Sequence, residues 1–370
     1  MTVRRLASSV RTMQSLVTRA LGLAALLALV ACSARAGSDE RLGTSGALEL
    51  LIPVGPRGTA LGAAVAGDVR GAEATFWNPA GVAGLEGTEA LFSHTQYFAD
   101  MKLNYAAVAV RAGRVGVLGF SAKVLSVGDV FVTTEQAPDG TGEILSPTFS
   151  VLGVTWGKAF TERVSFGTTL NYVGEHVQSM NANGLAFDFG VQYNTDWRGL
   201  RLGLTMKNFG NAMTFDGDNL DISVLPPGSD PGASNRIVRF SSAAFEMPSY
   251  FNMAGSLDLY RRNRNAFQLK AAFQNNNFSG DNVCGAAEWT YRDIVALRGS
   301  WFGTFHGSTD LLTGNETSSF SAGDDLYRGF ALGGGFEVNA SDAHIGVDFA
   351  WRPVRAFSGD VYEVGLRLKF

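Results

Sequence analysis

The residues of this chain that could perform acid–base or nucleophilic chemistry are few, and their spacing does not suit it. The four histidines are His94, His176, His306 and His344. His344 shares the polar face of an alternating segment with Asp348, but four residues of extended chain separate them by about 13 Å. Ser93 and His94 are adjacent, and adjacent residues on a strand point to opposite faces, so they cannot act together as nucleophile and base. No HExxH, paired CxxC or phosphate-cradling Gly-Lys-Ser/Thr motif occurs. Asp216-Gly217-Asp218-Asn219 opens like a calcium loop, but Pro227 stands where the twelfth-position Glu belongs, and the stretch reads as a turn. No catalytic residue, cofactor or metal ligand is expected, and the chain does not read as an enzyme.

The elements that would carry any site point elsewhere. Gly (45) and Phe (26) are abundant and charged residues make up only 17%, yet no apolar run beyond the N-terminus reaches the 18 or so residues of a membrane helix. A net charge of -4, with no Lys/Arg stripe among stacking aromatics, argues against nucleic acid as a partner. From about residue 87 onward the dominant pattern has period two. Tyr362, Val364, Leu366, Leu368 and Phe370 share one face, while Glu363, Arg367 and Lys369 share the other.

Fourteen such segments can be drawn, at 88–97, 102–111, 114–125, 147–158, 163–175, 184–195, 200–209, 247–260, 264–274, 281–291, 294–304, 328–338, 342–352 and 360–370. The number is even, as closure of a single-chain antiparallel barrel requires. Every second connection is short, whereas the others include long Gly-, Asp-, Asn- and Ser-rich stretches near 126–146, 210–246 and 305–327. This two-sided bias, with aromatics at segment ends, predicts an all-β transmembrane barrel in the bacterial outer membrane, with short periplasmic turns and long extracellular loops. The outer-membrane lipid is the expected solvent of its outer face.

Ahead of the barrel, residues 1–36 read as a signal peptide. Arg4, Arg5, Arg11 and Arg19 precede the apolar stretch from Ala20 to Ala31, and Ala34-Arg35-Ala36 forms a small-x-small cleavage site. Met13 offers a second start, and Leu29-Val30-Ala31-Cys32 gives a competing reading as a lipobox with an acylated cysteine. Residues 37–86 form an N-terminal periplasmic hatch or plug segment and residues 87–370 the barrel. The segment does not alternate. Its small apolar run 57–68 is followed by Trp77-Asn78-Pro79-Ala80-Gly81, where Gly and Ala permit tight backbone approach and Pro79 fixes a turn. Such a piece either folds inward to plug the lumen or forms an ordinary periplasmic extension.

Several stretches resemble the PorV/PorQ family of outer-membrane proteins over nearly the whole mature chain. They are Gly55-Pro56-Arg57-Gly58 through Gly81, Leu125-Ser126-Val127-Gly128-Asp129 with Thr133-Thr134-Glu135, and Phe187-Asp188-Phe189-Gly190. That family is similar in architecture to the FadL-type transporters, whose fourteen-stranded barrels carry an N-terminal hatch with an Asn-Pro-Ala motif. The corresponding hatch motif here is Asn78, Pro79, Ala80 and Gly81. The resemblance implies one of two functions. The first is type IX-like protein secretion, binding exported cargo that bears a C-terminal signal domain. The alternative is FadL-like transport of a lipophilic ligand. The last strand, ending at Phe370, resembles the signal read by the outer-membrane assembly machinery.

Overall fold

The computed structural model describes residues 41, 43–197, 199–225, 227–228, 234–309, 316–324, 326–339 and 343–370. The expected signal peptide, with Met13 and Cys32, lies outside these residues. Fourteen long strands follow one another. The first seven are β1 (Thr88–Gln96), β2 (Lys102–Arg111), β3 (Val117–Ser126), β4 (Thr148–Ala159), β5 (Val164–Val177), β6 (Met180–Asn194) and β7 (Arg201–Gly210). The second seven are β8 (Tyr250–Arg262), β9 (Asn265–Asn276), β10 (Asp281–Tyr291), β11 (Val295–Thr309), β12 (Phe330–Asn339), β13 (His344–Arg352) and β14 (Val361–Lys369).

Each strand pairs antiparallel with the next, and β1 pairs with β14, so the sheet closes on itself. Thr88 and Phe370 exchange both backbone hydrogen bonds at the closure. Closure leaves no open sheet edge, the condition for a β-structure to stand in hydrocarbon.

The burial pattern identifies the solvent. Outward side chains are apolar and exposed, as at Phe120 (55%) and Leu152 (52%), whereas the inward positions of the same walls hold fully buried polar groups such as Lys270, Thr155 and Glu363. A soluble protein arranges the two the other way round. Apolar outside and polar inside is the signature of a barrel in a bilayer, and the molecule is a fourteen-stranded barrel of the bacterial outer-membrane type.

The expected strands are recovered, with two differences. The connection expected between 175 and 184 is a two-residue turn, Gln178-Ser179, with Gln178 at φ 56°, so β5 and β6 run on to meet it. Their extension carries polar residues on the outer face, where His176 bonds Asn181 and Tyr172 bonds Asn183. The long connection near 305–327 is partly sheet: β11 continues to Thr309 and pairs with Glu316–Ala322. In the other two long connections, Val130–Phe131 pairs with Ile144–Leu145, and Asp221–Val224 pairs with Arg236–Arg239.

Candidate functional site

The chain ahead of β1 lies inside the barrel. Ser45 pairs with Glu246 at the loop end, and residue 87 meets Phe370 at the turn end, so the segment threads the lumen from one mouth to the other. It contains only short helical pieces: α1 (Pro56–Leu61), α2 (Ala74–Trp77) and 3-10 turns at Leu48–Leu51, Gly62–Gly67, Gly71–Glu73 and Pro79–Gly84. Its apolar residues Val54, Leu61, Val65, Val69 and Val82 are completely buried.

Helices this short leave most of their N–H and C=O groups without internal partners. In the lumen, barrel side chains supply them. Glu363 of β14 accepts from the Gly55 N–H (2.7 Å) and the Thr59 hydroxyl (2.6 Å). Glu89 of β1 accepts from the Ala72 N–H (3.0 Å), and Glu175 of β5 from the Ala47 N–H (3.0 Å). Lys123 of β3 donates to the Ile52 carbonyl (2.6 Å) and Lys207 of β7 to the Phe76 carbonyl. The two ammonium groups also flank the Phe76 ring, at 4.6 and 3.9 Å from its centroid.

An ion-pair network ties the segment to the opposite wall. Arg57 forks onto Glu288 of β10 at 3.0 and 2.9 Å. Glu288 also receives Lys270 of β9 (3.2 Å) and Arg298 of β11 (2.8 Å), and Lys270 reaches across to Asp68 of the segment. Arg298 continues to Asp348 of β13. Every charge in this cluster faces an opposite one, as burial demands.

The sequence motif sits at the turn end. Asn78 is fully buried; its Oδ1 accepts from the Ala80 N–H (3.1 Å), while its Nδ2 donates to the carbonyls of Ala66 (2.8 Å) and Val191 (3.3 Å). It caps the 3-10 turn that Pro79 opens, an arrangement both residue types favour. A Cβ on Gly81 would lie 2.2 Å from the Val69 carbonyl. The wall meets this turn with three glycines in register, Gly157 of β4, Gly167 of β5 and Gly190 of β6. Added Cβ atoms there would lie 2.4, 2.3 and 2.2 Å from Val82, Pro79 and Asn78 respectively.

Other residues singled out from the sequence are not brought together. His94 bonds Asn104 on the outer face while Ser93 is buried, so the two point apart as expected. Among the described residues no group of three His, Cys, Asp or Glu is placed to hold a metal. Sequence reasoning missed the ion-pair network and the polar cluster around Asp188 of β6. That carboxylate accepts from Asn171 (3.0 Å) and from the Asn208 N–H (2.8 Å), and it stands 3.7 Å from the Lys207 ammonium. Asn208 has φ 59° at the bulge between β6 and β7, so Asp188 replaces a ladder bond that the bulge removes.

Two features bear on passage. Beside Phe76, Tyr105, Lys123, Asp188 and Lys207 lies a cavity of only about 20 Å³, space for a single water. At the loop end, Ala47 and Leu50 of the segment, Met213 and Met247 of the β7–β8 connection and Val151 and Val173 of the walls form an apolar cluster, with Phe215 and Phe245 against it.

Fold and lumen together define the class, an outer-membrane β-barrel with a segment of its own chain filling the lumen. No family model and no curated protein sequence matches the chain. Solved structures do match its shape. The CymD monoaromatic hydrocarbon channel superposes with a TM-score of 0.52 at 12% identity, covering 86% of this chain and 98% of CymD. The Pseudomonas putida toluene transporter TodX gives 0.50 at 12%, covering 85% and 96%. A Pseudomonas aeruginosa FadL homologue gives 0.50 at 11%, covering 85% and 96%. At these identities the likeness establishes the shared fold.

Proposed function

We propose that the protein is an outer-membrane channel for small hydrophobic molecules, closed at rest by residues 43–86 and opened by movement of that segment. The observation that carries this reading is the way the segment is held. Its contacts with the wall are hydrogen bonds, ion pairs and close glycine packing, all of them reversible. The buried apolar cluster at the loop end, with two adaptable methionines, offers a lipophilic molecule a place to lodge once the segment moves. The three similar structures are described as a hydrocarbon channel, a toluene transporter and a FadL homologue, which supports the same class of cargo. On this reading Asn78, Pro79, Ala80 and Gly81 form the hatch turn that seats the segment.

A second reading, PorV-type protein export, is favoured by one observation. The ribbon Asp221–Val224 with Arg236–Arg239 leaves Ile237, Val238 and the following Phe240 exposed on the β7–β8 connection, a surface that suits a protein partner. Native mass spectrometry of the protein extracted in mild detergent separates the two. A bound apolar molecule of a few hundred daltons supports the channel, whereas a stoichiometric exported protein replaces it with the export reading.

A further inference from the structure

The inner segment is fastened at the loop end as well as along its length. Ser45 forms a parallel bridge with Glu246, and the Gly46 N–H donates to the Glu246 carbonyl at 3.0 Å, so the segment adds itself as a short strand to the β7–β8 connection. Met213 and Phe245 of that connection exchange two backbone bonds behind it, at 2.8 and 2.9 Å. Arg41 clasps the Glu246 carboxylate at 2.6 Å, reaches Asn277 Oδ1 of the β9–β10 connection at 3.3 Å and lies 4.3 Å over the Phe278 ring. The fit is close, for a Cβ on Gly46 would lie 2.1 Å from the Phe245 ring. Directly after this fastening the chain turns at Ala47, φ 51°, whose N–H is held by Glu175, and passes into the turn Leu48–Leu51.

We infer that Arg41 and residues 43–47 act as a strap through which the extracellular β7–β8 connection controls the inner segment. While the strap is paired with residues 245 and 246, the segment stays in the lumen; displacement of the connection releases the strap and lets the segment move. The consequence for passage rests on the channel reading, but the strap itself rests only on the contacts above. Coupling requires an element with two arrangements that both ends bias, and a strand that can pair or unpair with a loop is one.

Cys284 supplies a native reporter. It is buried in the lumen wall with its Sγ 3.5 Å from the Leu61 carbonyl, and a Cβ on Gly62 would lie 2.9 Å from that sulfur. Cells displaying the full chain are treated with a membrane-impermeant maleimide, and modification is read by mass on the peptide containing Cys284. Glu246→Arg places two cations together and is expected to raise the labelling rate about three- to fivefold, the scale of an exposed ion pair. The swap Arg41→Glu with Glu246→Arg is expected to restore the slow rate. A Ser45→Cys, Glu246→Cys pair is expected to hold labelling at the slow rate when oxidised and to release it on reduction. Equal labelling in all of these, with barrel assembly intact by heat-modifiable gel mobility, overturns the strap. Labelling that responds as expected while no hydrophobic compound is taken up leaves the strap standing and removes the channel reading instead.

Discussion

Gly167 of β5 faces the Pro79 carbonyl so closely that a Cβ on the glycine would lie 2.3 Å from it. The turn of the inner segment therefore rests on bare backbone, and the row Gly157, Gly167 and Gly190 makes the wall flat where the turn is bulkiest. Gly167→Val should unseat it, since overpacking a filled site costs about 1–3 kcal/mol. The expected result is a rise in ion conductance of the variant in planar bilayers with normal barrel assembly. Gly285→Ala, where an added Cβ meets nothing within 4 Å, should leave the barrel closed.

Asn78→Ala removes the cap of the Pro79 turn, leaves the Ala80 N–H without its buried partner and leaves the Ala66 carbonyl only the longer bond from Gln192. The loss of such a bond costs about 1–3 kcal/mol. Trypsin should then cleave at Arg57 and Arg70 in detergent-solubilised protein roughly tenfold or more faster than in the parent. Unchanged protection would mean that the turn is held by the glycine seat alone.

Arg57 is the segment's main ionic anchor. Arg57→Ala strands Glu288 and Asp68 beside fewer cations, and breaking a buried pair from one side costs about 3–5 kcal/mol. Arg57→Met combined with Glu288→Gln removes both charges and should be milder than Arg57→Ala. Thermal melting of the two variants measures the order, and the reverse order would show that Glu288 matters more to Lys270 and Arg298 than to Arg57.

Glu49 makes that hold depend on pH. Burial, and next the neighbouring Glu175 carboxylate, push its carboxyl from 4.5 up to about 7, with Lys123 of β3 opposing weakly. The packed state thus holds the proton more tightly than the released state. Below about pH 4.5 both states are protonated and packing is at its strongest; as pH rises through 7 the contribution is lost, to a limit of about 3 kcal/mol. The rate of maleimide labelling of Cys284 in the parent, divided by that in Glu49→Gln at the same pH so that the thiol's own ionisation cancels, should rise between pH 5 and 8; a constant ratio would contradict this role of Glu49.

Most of the barrel is legible in the sequence because lipid-facing Phe, Leu and Val alternate with polar residues inside, a contrast with period two. The turn at Gln178-Ser179 is missed where this contrast fades, because Glu175, His176, Asn181 and Asn183 make both faces polar. The Asn78–Gly81 turn is visible because cap and proline act locally. Its glycine seat is not, since three strands bring those residues side by side only through register. Arg57 and Asp68 could have been noticed as the charges of an otherwise small, apolar stretch. Their partners Glu288 and Lys270, 231 and 202 residues away, could not.

The central claim is that the inner segment must move for a hydrophobic molecule to pass. Thr75 of α2 faces Gly119 of β3, a Cβ added to Gly119 lying 2.8 Å from the Thr75 methyl, so Thr75→Cys with Gly119→Cys places a disulfide between segment and wall. Uptake of a radiolabelled monoaromatic hydrocarbon and of a long-chain fatty acid is measured in cells carrying this pair, before and after reduction. The account predicts uptake of one of them above that of cells lacking the protein, abolished by the oxidised bridge and restored by reductant. Uptake that continues with the bridge closed would contradict it.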